Sequence, residues 1–345
     1  GVETCNGVDD DCNGSSDDGI AIVPCGMGAC TVTPATACTA GMPTTCTPGT
    51  PGTETCNGID DDCNGVVDDP CGCDRYVRLG GSGTGMSAGS PMGSIAAAIT
   101  SMAGAPGTIC VAAQSAGGTC TRTTYNEAVN MTEGIVLLGN HDSAGWTRGN
   151  PLCETVIQAQ NTNGVFFGHA LTNATQIDGF TVLGSSASSG PGSGTTTAAM
   201  TVQEGATITN NAITGGNRPT SYGILFTAPG AVSAVPVVDG NTITGGSGGA
   251  TVTSVGVRVS MMAPAITNNT IRGGTASGTS RAIELSSGAG TMIADNPIVE
   301  GAGATNSHGI NVGGSSAGVV ITRNASIRGR STGAQGFGIR LEGST

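Results

Sequence analysis

The amino-acid sequence predicts an all-β protein, a right-handed parallel β-helix preceded by a disulfide-rich, calcium-binding repeat module. Two patterns predict this fold class. Asparagine recurs beside short β-branched segments at intervals of 27 to 30 residues from Asn211 onward, which is typical of a solenoid. Ten of the 13 cysteines lie between Cys5 and Cys73, and short cysteine-dense segments rely on disulfides or metals in place of a hydrophobic core.

Charged and aromatic residues divide the chain at the same place. Residues 1–74 contain 13 of the 24 acidic residues and no basic residue, whereas residues 75–345 contain all 12 arginines and the other 11 acids. All nine aromatic residues lie at or after Tyr76. The first part, with a charge of −13, therefore predicts a cationic ligand and argues against nucleic acid as a partner.

One motif occurs twice in the first part. Glu-Thr-Cys-Asn-Gly-x-Asp-Asp-Asp-Cys-Asn-Gly occupies residues 3–14 and 54–65. Each copy contains Asp-x-Asp-x-Asn-Gly-x-x-Asp, which presents oxygen atoms from alternate positions as calcium requires, while glycine allows the sharp turn. The predicted calcium ligands are Asp9, Asp11, Asn13, Ser15, Asp17, Asp60, Asp62, Asn64, Val66 and Asp68. Ser15 and Val66 would ligate through their main-chain carbonyls and the others through their side chains.

Three features define this predicted metal loop further. The residue at position 12 of an EF-hand would be Ile20 or Cys71, neither of which can ligate calcium, so the loop is a nine-residue type with Asp18 and Asp69 as reserve ligands. Zinc is disfavoured because the cysteines flank the loop and oxygen donors dominate. Solvated acidic turns would explain one copy, but two copies in the same register favour a metal site.

The cysteine spacing leaves the disulfide pairing open. Cys5 with Cys12, and Cys56 with Cys63, could each close a bridge around a loop, and Cys110 could pair with Cys120. The remaining candidates, which would form two bridges of undetermined connectivity, are Cys25, Cys30, Cys38 and Cys46. The odd cysteine count leaves at least one thiol free or bonded to another chain.

Disulfides persist in oxidising compartments, so we expect a secreted protein at an extracellular surface. The sequence contains no signal peptide and no run of about 18 apolar residues, so we expect a mature chain without a membrane span.

The repeated motif resembles the MopE-type metal-binding repeat of secreted and outer-surface proteins of myxobacteria and related bacteria. The resemblance covers about residues 1–73 and implies a surface protein that binds metal. The family takes its name from a copper-binding protein whose site uses histidines and an oxidised tryptophan. His141 and Trp146 lie five residues apart and outside the repeat, so the resemblance does not imply copper here.

The second part repeats a unit of the form Gly-Ile-x-Leu, a gap, and Ile-Thr-Asn-Asn-x-Ile-x-Gly-Gly. We expect each unit to form one coil of about three short strands, stacked at about 4.8 Å on the next coil. Asparagine tolerates a left-handed turn and its amide can bond to the coils above and below. The predicted ladder, with Asp178 in the equivalent place one coil earlier, is Asn211, Asn241, Asn269, Asn296 and Asn324.

Two apolar registers accompany this ladder. One contains Ile213, Ile243, Ile271, Ile298 and Ile327; the other contains Ile224, Val257, Ile283, Ile310 and Ile339. A β-sandwich would show strands every 8 to 12 residues, but it would not explain one asparagine per unit. The pattern therefore favours the parallel β-helix.

Residues 75–160 resemble the opening of pectate-lyase-like secreted β-helix proteins, in which a short capping helix precedes the first strands. Ser94 is the expected N-cap of that helix. Tyr125, Asn126 and Glu127 are expected to anchor a loop and not to act in catalysis. We therefore divide the chain into two calcium-binding repeats at 1–74, a β-helix cap at 75–160 and β-helix coils at 161–345.

The sequence gives no positive sign of catalysis. A hydrolase needs two carboxylates about 5 to 10 Å apart, but the seven acids of the coils fall mostly in different registers, and a lyase would have no lysine to hold uronate groups. One outward column, which could also be a plain charge ladder, is predicted to stack Arg258, Glu284, Asn311 and Arg340 on successive coils.

These observations predict a structural or adhesive cell-surface protein, with a calcium-stabilised fibre subunit as the leading form. The predicted strand at 337–341 has no cap, so head-to-tail association of identical chains is the expected partner interaction. The alternatives are a β-helix polysaccharide lyase or hydrolase, and a carbohydrate-binding adhesin; polysaccharide is the possible ligand of both.

Overall fold

The computed structural model describes residues 1–52, 61–63, 72–116, 119–158, 164–185, 196–230, 232–247, 251–303, 305–331, 333 and 335–342. The chain divides into two compact units, Gly1–Cys71 and Gly72–Thr345.

The first unit has little regular secondary structure. A 3-10 helix spans Gly28–Cys30, and the strands Cys38–Thr39 and Met42–Pro43 form an antiparallel hairpin. Among its described residues only Cys30 is buried. Disulfides hold this unit together in place of an apolar core, and they join Cys5 to Cys38, Cys25 to Cys46 and Cys30 to Cys63.

Three predicted cysteine pairs are wrong. Cys5 bonds to the hairpin and not to Cys12, which is an exposed free thiol, and Cys63 bonds to Cys30, so it cannot pair with Cys56, which lies outside the described residues. Among the described residues, two further bridges are Cys73–Cys110 and Cys120–Cys153.

The predicted Cys110–Cys120 pair fails because both residues belong to one extended hairpin. Cys120 lies opposite Ser115, which is five residues beyond Cys110 on the same strand. At about 3.3 Å per residue this places the two cysteines about 16 Å apart, far beyond the reach of a disulfide.

The second unit is a right-handed parallel β-solenoid of about eight turns from residue 107 onward. This confirms the predicted fold class, although the coils were expected only from residue 161. Each coil adds one strand to each of three sheets, which we call A, B and C in chain order. Sheet A consists of Arg75–Arg78, Gly107–Ala116, Ile135–Asp142, Gln176–Asp178, Thr207–Thr209, Val237–Asp239, Ala265–Thr267, Met292–Ala294 and Val320–Thr322, with Thr119–Thr121 antiparallel at its side.

The other two sheets are parallel throughout their described strands. Sheet B consists of Thr123–Tyr125, Thr155–Gln158, Thr181–Leu183, Ala212–Thr214, Thr242–Thr244, Thr270–Arg272, Ile298–Ala302 and Ile327–Arg330. Sheet C consists of Val129–Met131, Val165–Phe167, Thr196–Val202, Thr220–Thr227, Thr253–Ser260, Thr279–Ser287, Asn306–Val312 and Gln335–Leu341.

The core is a stack of β-branched side chains inside the coils. Sheet C aligns the predicted register from Ile224 to Ile339 without a shift. In sheet B, however, Ile271 aligns with Val299, so the prediction of Ile298 was wrong by one residue. Since side chains alternate across a strand, Ile298 turns away from the core and Val299 is fully buried.

A short cap precedes the first coil. Helix Ile95–Ser101 begins at Ser94, whose hydroxyl accepts a hydrogen bond from the Ala97 N–H at 3.2 Å, as predicted. The Glu127 carboxylate accepts hydrogen bonds from the Ser94 hydroxyl (2.7 Å) and the Ile95 N–H (2.9 Å). Glu127 therefore anchors the first turn of the helix.

Tyr125 is an anchor of the same region. Its hydroxyl donates to the Ala112 carbonyl at 2.8 Å and accepts from the Leu79 N–H at 3.0 Å. Within the described part of the chain, no helix has the length and apolar character needed to cross a membrane.

Candidate functional site

An amide ladder runs along the corner between sheets A and B. The Asn241 N–H donates to the Asn269 Oδ1 at 2.8 Å, and the Asn241 side-chain amide donates to the carbonyls of Ile208 and Asp239 at 2.8 and 2.9 Å. The Asn241 Oδ1 accepts from the Asn211 N–H at 2.9 Å. Asn211, Asn241, Asn269, Asn296 and Asn324 occupy equivalent places in successive coils, and the first four are buried.

At this corner, the residue before each ladder asparagine has the left-handed backbone conformation. Asn210, Asn268 and Asp295 have φ of 53°, 55° and 57°. The expectation that the ladder asparagine itself takes this conformation was wrong. The ladder asparagine instead supplies the side-chain hydrogen bonds that close the turn. Its residue type is therefore the same in every coil of the ladder, whereas the type of the residue before it varies.

Asp178 does not lie in the ladder. Sheet A aligns Asp178 with Thr209, so Phe180 takes the place equivalent to Asn211, and the Phe180 N–H donates to the Asn211 Oδ1 at 2.9 Å. Asp178 forms an ion pair with Arg148 and accepts the Thr209 hydroxyl at 2.7 Å. The prediction was therefore displaced by two residues.

A second polar ladder, which the sequence analysis missed, lies where each coil passes from sheet B to sheet C. The Ser254 hydroxyl donates to the Gly246 carbonyl at 2.7 Å and accepts from the Gly274 N–H at 2.9 Å in the next coil. The sequence signal is a serine three residues before four successive sheet C core positions, from Ile224 to Ile310. The members are Ser221, Ser254, Ser280 and Ser307, all fully buried.

The first metal-motif loop is organised by two of its aspartates. Asp9 accepts the N–H groups of Gly14 (2.8 Å) and Asn13 (3.1 Å). Asp17 accepts the N–H groups of Asn6 (2.9 Å) and Gly7 (3.0 Å). The Gly14 N–H is the main cause that lowers the pKa of Asp9, so this carboxylate is ionised within the loop.

Three other carboxylates meet at the same loop. Oxygen atoms of Glu3, Asp11 and Asp18 lie within 4.8 Å of one another. The Asn13 side-chain amide donates to Asp11 at 2.9 Å and to Asp18 at 3.2 Å. Hard oxygen donors of this kind suit calcium better than a soft metal.

This arrangement brings only part of the predicted ligand set together. Asp11 lies in the carboxylate cluster with the reserve ligand Asp18, while Ser15 N–H bonds to the Asn13 side chain at 2.9 Å. Glu3, which precedes the loop, was missed because a loop pattern cannot indicate which outside residue folds back onto it. In the second loop Asp62 is described, and Asp60, Asn64, Val66 and Asp68 lie outside the described residues.

The outer face of sheet C carries an unusual polar column. Arg258, Glu284, Asn311 and Arg340 stack on successive coils, as predicted. Beside them, Arg281 and His308 form a neighbouring column. The Arg281 Nη1 lies 3.2 Å from the Glu284 Oε1.

Several buried atoms of this sheet C face have no hydrogen-bond partner. They are the Arg281 Nε, the Glu284 Oε2, the Asn311 Oδ1 and both ring nitrogens of His308. His308 is fully buried, which lowers its pKa and favours the neutral ring. Unpaired buried polar atoms are rare, but these have almost no surface in contact with solvent, so the groups of this face that a ligand can reach are the part-exposed side chains of Arg258 and Arg340.

Glu204 joins neighbouring coils at the turn between sheets C and A. Its carboxylate accepts the Ser233 hydroxyl (2.5 Å) and N–H (2.9 Å) and the Ala170 N–H (2.6 Å), and it pairs with the His169 ring. These hydrogen bonds lower the pKa of Glu204 from 4.5 to about 2, and the bond from the Ser233 hydroxyl has the largest effect.

We expect Glu204 to contribute to acid stability. Since its pKa is lower in the folded chain, its contribution is complete above about pH 4.5 and is lost as pH falls through about 2. Glu204→Gln should therefore reduce the fall in Tm between these two pH values. Glu154→Gln, at a part-exposed carboxylate that pairs with Arg122 and accepts the Thr181 hydroxyl, is the control, and a Glu204→Gln curve parallel to the wild type would contradict the assignment.

The fold and the loop define a class: a disulfide-held metal-motif unit combined with a parallel β-solenoid. Residues 1–18 and 47–69 match the Cu-binding MopE family model, described as "Putative metal-binding motif". The match covers both copies of the repeated motif. No curated protein and no solved structure gives a significant match to the chain.

Proposed function

We propose that this chain is a secreted structural or adhesive protein of a cell surface. The observation that carries the proposal is the buried asparagine ladder, which bonds each coil to the next and makes the solenoid a stiff scaffold. The disulfides of both units support an oxidising, extracellular location. Antibody labelling of intact cells tests this, since a protein detected only after the cells are opened would contradict it.

Calcium is the metal we assign to the N-terminal motif. Three carboxylates within 4.8 Å form an oxygen-only cluster, and no histidine occurs before His141, so the donor set fits a hard cation. When bound, calcium would neutralise mutually repelling carboxylates, and Glu3, Asp11 and Asp18 would hold it.

Calorimetry should detect two calcium ions per chain, one per loop, with Kd values of about 0.1 to 1 mM. Asp11→Asn should reduce the stoichiometry to one, because it removes a carboxylate oxygen from the first cluster. Asp10→Asn is the matched control, since Asp10 bonds to Thr4 and Asn6 and lies outside the cluster. No calcium binding, or unchanged binding in Asp11→Asn, would contradict the site.

We further propose head-to-tail self-association that depends on calcium. The 13 acidic residues of positions 1–74 would make copies repel, whereas residues 75–345 are close to neutral. Bound calcium would weaken this repulsion. Sedimentation in millimolar calcium and then in chelator tests the idea, and a monomer under both conditions would exclude it.

A carbohydrate-binding role is a second candidate, supported by the sheet C face. The exposed part of this face offers the donors Arg258 and Arg340 beside the acceptors Glu284 and Glu342. Sugar hydroxyl groups offer both functions, directly or through bridging water. The same face could serve an adhesin or a polysaccharide-cleaving enzyme.

We expect a screen of neutral and uronate polysaccharides to identify a ligand whose affinity falls about tenfold in Arg340→Gln, because Arg340 is a part-exposed donor of this face. Arg323→Gln is the control because Arg323 pairs with Asp295 at the corner beside sheet A. Release of unsaturated sugars during the screen would indicate a lyase. Equal affinity of the wild type and Arg340→Gln would exclude this face as the site.

A further inference from the structure

The cap of the solenoid places a histidine beside a disulfide. The sulfur atoms of Cys73 and Cys110 and one ring nitrogen of His141 all lie within 4.8 Å of one another. Cys110 lies in the second strand of sheet A, and His141 lies near the end of the adjacent strand. Among the described disulfides, this one alone combines with an imidazole in such a group.

The His141 ring is buried and only partly satisfied. It is 4% exposed, and backbone groups of Val111 and Leu138 bond to the ring, but its Nδ1 has no hydrogen-bond partner. An unprotonated imidazole nitrogen has a lone pair that can bind a metal.

The backbone already holds the three residues at a suitable separation. The Cα atoms of Cys73 and Cys110 are 5.6 Å apart. Tetrahedral zinc has Zn–S bonds of about 2.3 Å and Zn–N bonds of about 2.0 Å, so two ligating sulfurs lie about 3.8 Å apart. Rotation of the two cysteine side chains can provide this spacing once the S–S bond is broken.

We propose that the Cys73–Cys110 disulfide conceals a zinc site formed by Cys73, Cys110 and His141. A dithiol reductant would break the S–S bond, each cysteine sulfur would gain a proton, and the reductant would become a disulfide. Zinc would then displace both thiol protons and bind two thiolates and the imidazole. Three protein ligands leave the fourth position of the tetrahedron for water.

This site makes oxidation and metal binding mutually exclusive. A thiolate attacks an oxidant through a sulfur lone pair, and bound zinc occupies these lone pairs. The zinc-loaded protein should therefore re-form the Cys73–Cys110 bond more slowly than the metal-free protein. The site differs from the acidic loop of the first unit in ligand type and in redox state. Its presence or absence therefore leaves the proposed calcium site unaffected.

The single tryptophan provides a local reporter. The Trp146 ring lies 6.4 Å from the His141 ring and 4.9 Å from the Tyr76 ring, measured between centroids. Cobalt, which replaces zinc and quenches nearby fluorescence, should quench Trp146 in the reduced full-length chain and not in the oxidised chain.

The test compares cobalt titrations of the reduced chain under anaerobic conditions. We expect His141→Gln to raise the dissociation constant seen by Trp146 quenching at least about tenfold. His169→Gln and Cys120→Ser/Cys153→Ser are controls that should bind as the wild type does. Zinc should displace cobalt and restore the emission.

Two outcomes would overturn the proposal. One is quenching that is absent in the reduced wild type or equal in His141→Gln. The other is a red shift of the Trp146 emission on reduction that metal does not reverse, because that shift would show that the cap unfolds without its disulfide.

Discussion

Asn269→Leu should produce the largest loss of stability of any single substitution in the coils. Asn269 is fully buried, and its Oδ1 accepts the N–H of Asn241 at 2.8 Å. Its side-chain amide donates to the Val238 and Thr267 carbonyls at 2.9 and 2.6 Å. Leucine has similar volume but no polar atom, so the groups left without partners should cost about 1 to 3 kcal/mol each.

The measurement is the urea midpoint, since a repeat array need not unfold in one step. Hydrogen exchange should also accelerate first at Asn241 and Thr270, next to the substitution. Asn150→Leu is the matched control, because Asn150 is exposed and lies outside the ladder. Equal midpoints for the two variants would show that the ladder contributes little to stability.

Removal of the Cys5–Cys38 disulfide should unfold the first unit. The described part of this unit has almost no buried side chain, so little else opposes the entropy of the unfolded chain. Opening a loop of this size should cost about 2 to 5 kcal/mol. Cys5→Ala/Cys38→Ala should therefore make residues 1–52 sensitive to a protease that cuts at acidic residues; trypsin is unsuitable because the region lacks basic residues.

The Cys120→Ala/Cys153→Ala variant is the matched control. Its bridge has the same sequence separation of 33 residues but lies in the solenoid. Protection of the first unit should survive in this variant. Protection that also survives in Cys5→Ala/Cys38→Ala would show that the metal loop folds without that disulfide.

The sequence predicted the coil spacing well because stacked parallel strands repeat the same contacts in every coil. Asn211 to Asn324 could be identified from their intervals alone. Asp178 was misplaced because the preceding unit has Phe180 at the ladder position, so nothing polar marked the register. Ile298 was misplaced for a related reason: two adjacent β-branched residues, Ile298 and Val299, satisfy the same pattern.

The site was predicted less completely because its contacts depend on chain folding over longer distances. Cysteine spacing contains no information on which turns meet, so Cys5 was assigned to its near neighbour instead of Cys38. Glu3 and Asp18 flank the loop pattern, and only the folded chain shows that they converge on Asp11. The serine ladder repeats with the same period, but serine is so common along this chain that its spacing alone does not distinguish a ladder.

The amide ladder also determines how the solenoid would respond to tension. The hydrogen bonds between coils run along the solenoid axis, so an axial pull would load one coil boundary at a time. A coil of 28 residues, the separation of Asn241 and Asn269, rises about 4.8 Å when folded but extends to roughly 95 Å when unravelled. Each boundary that yields would thus release a length of chain about twenty times the coil's rise, and the solenoid would extend in steps, absorbing mechanical work before the chain itself is strained.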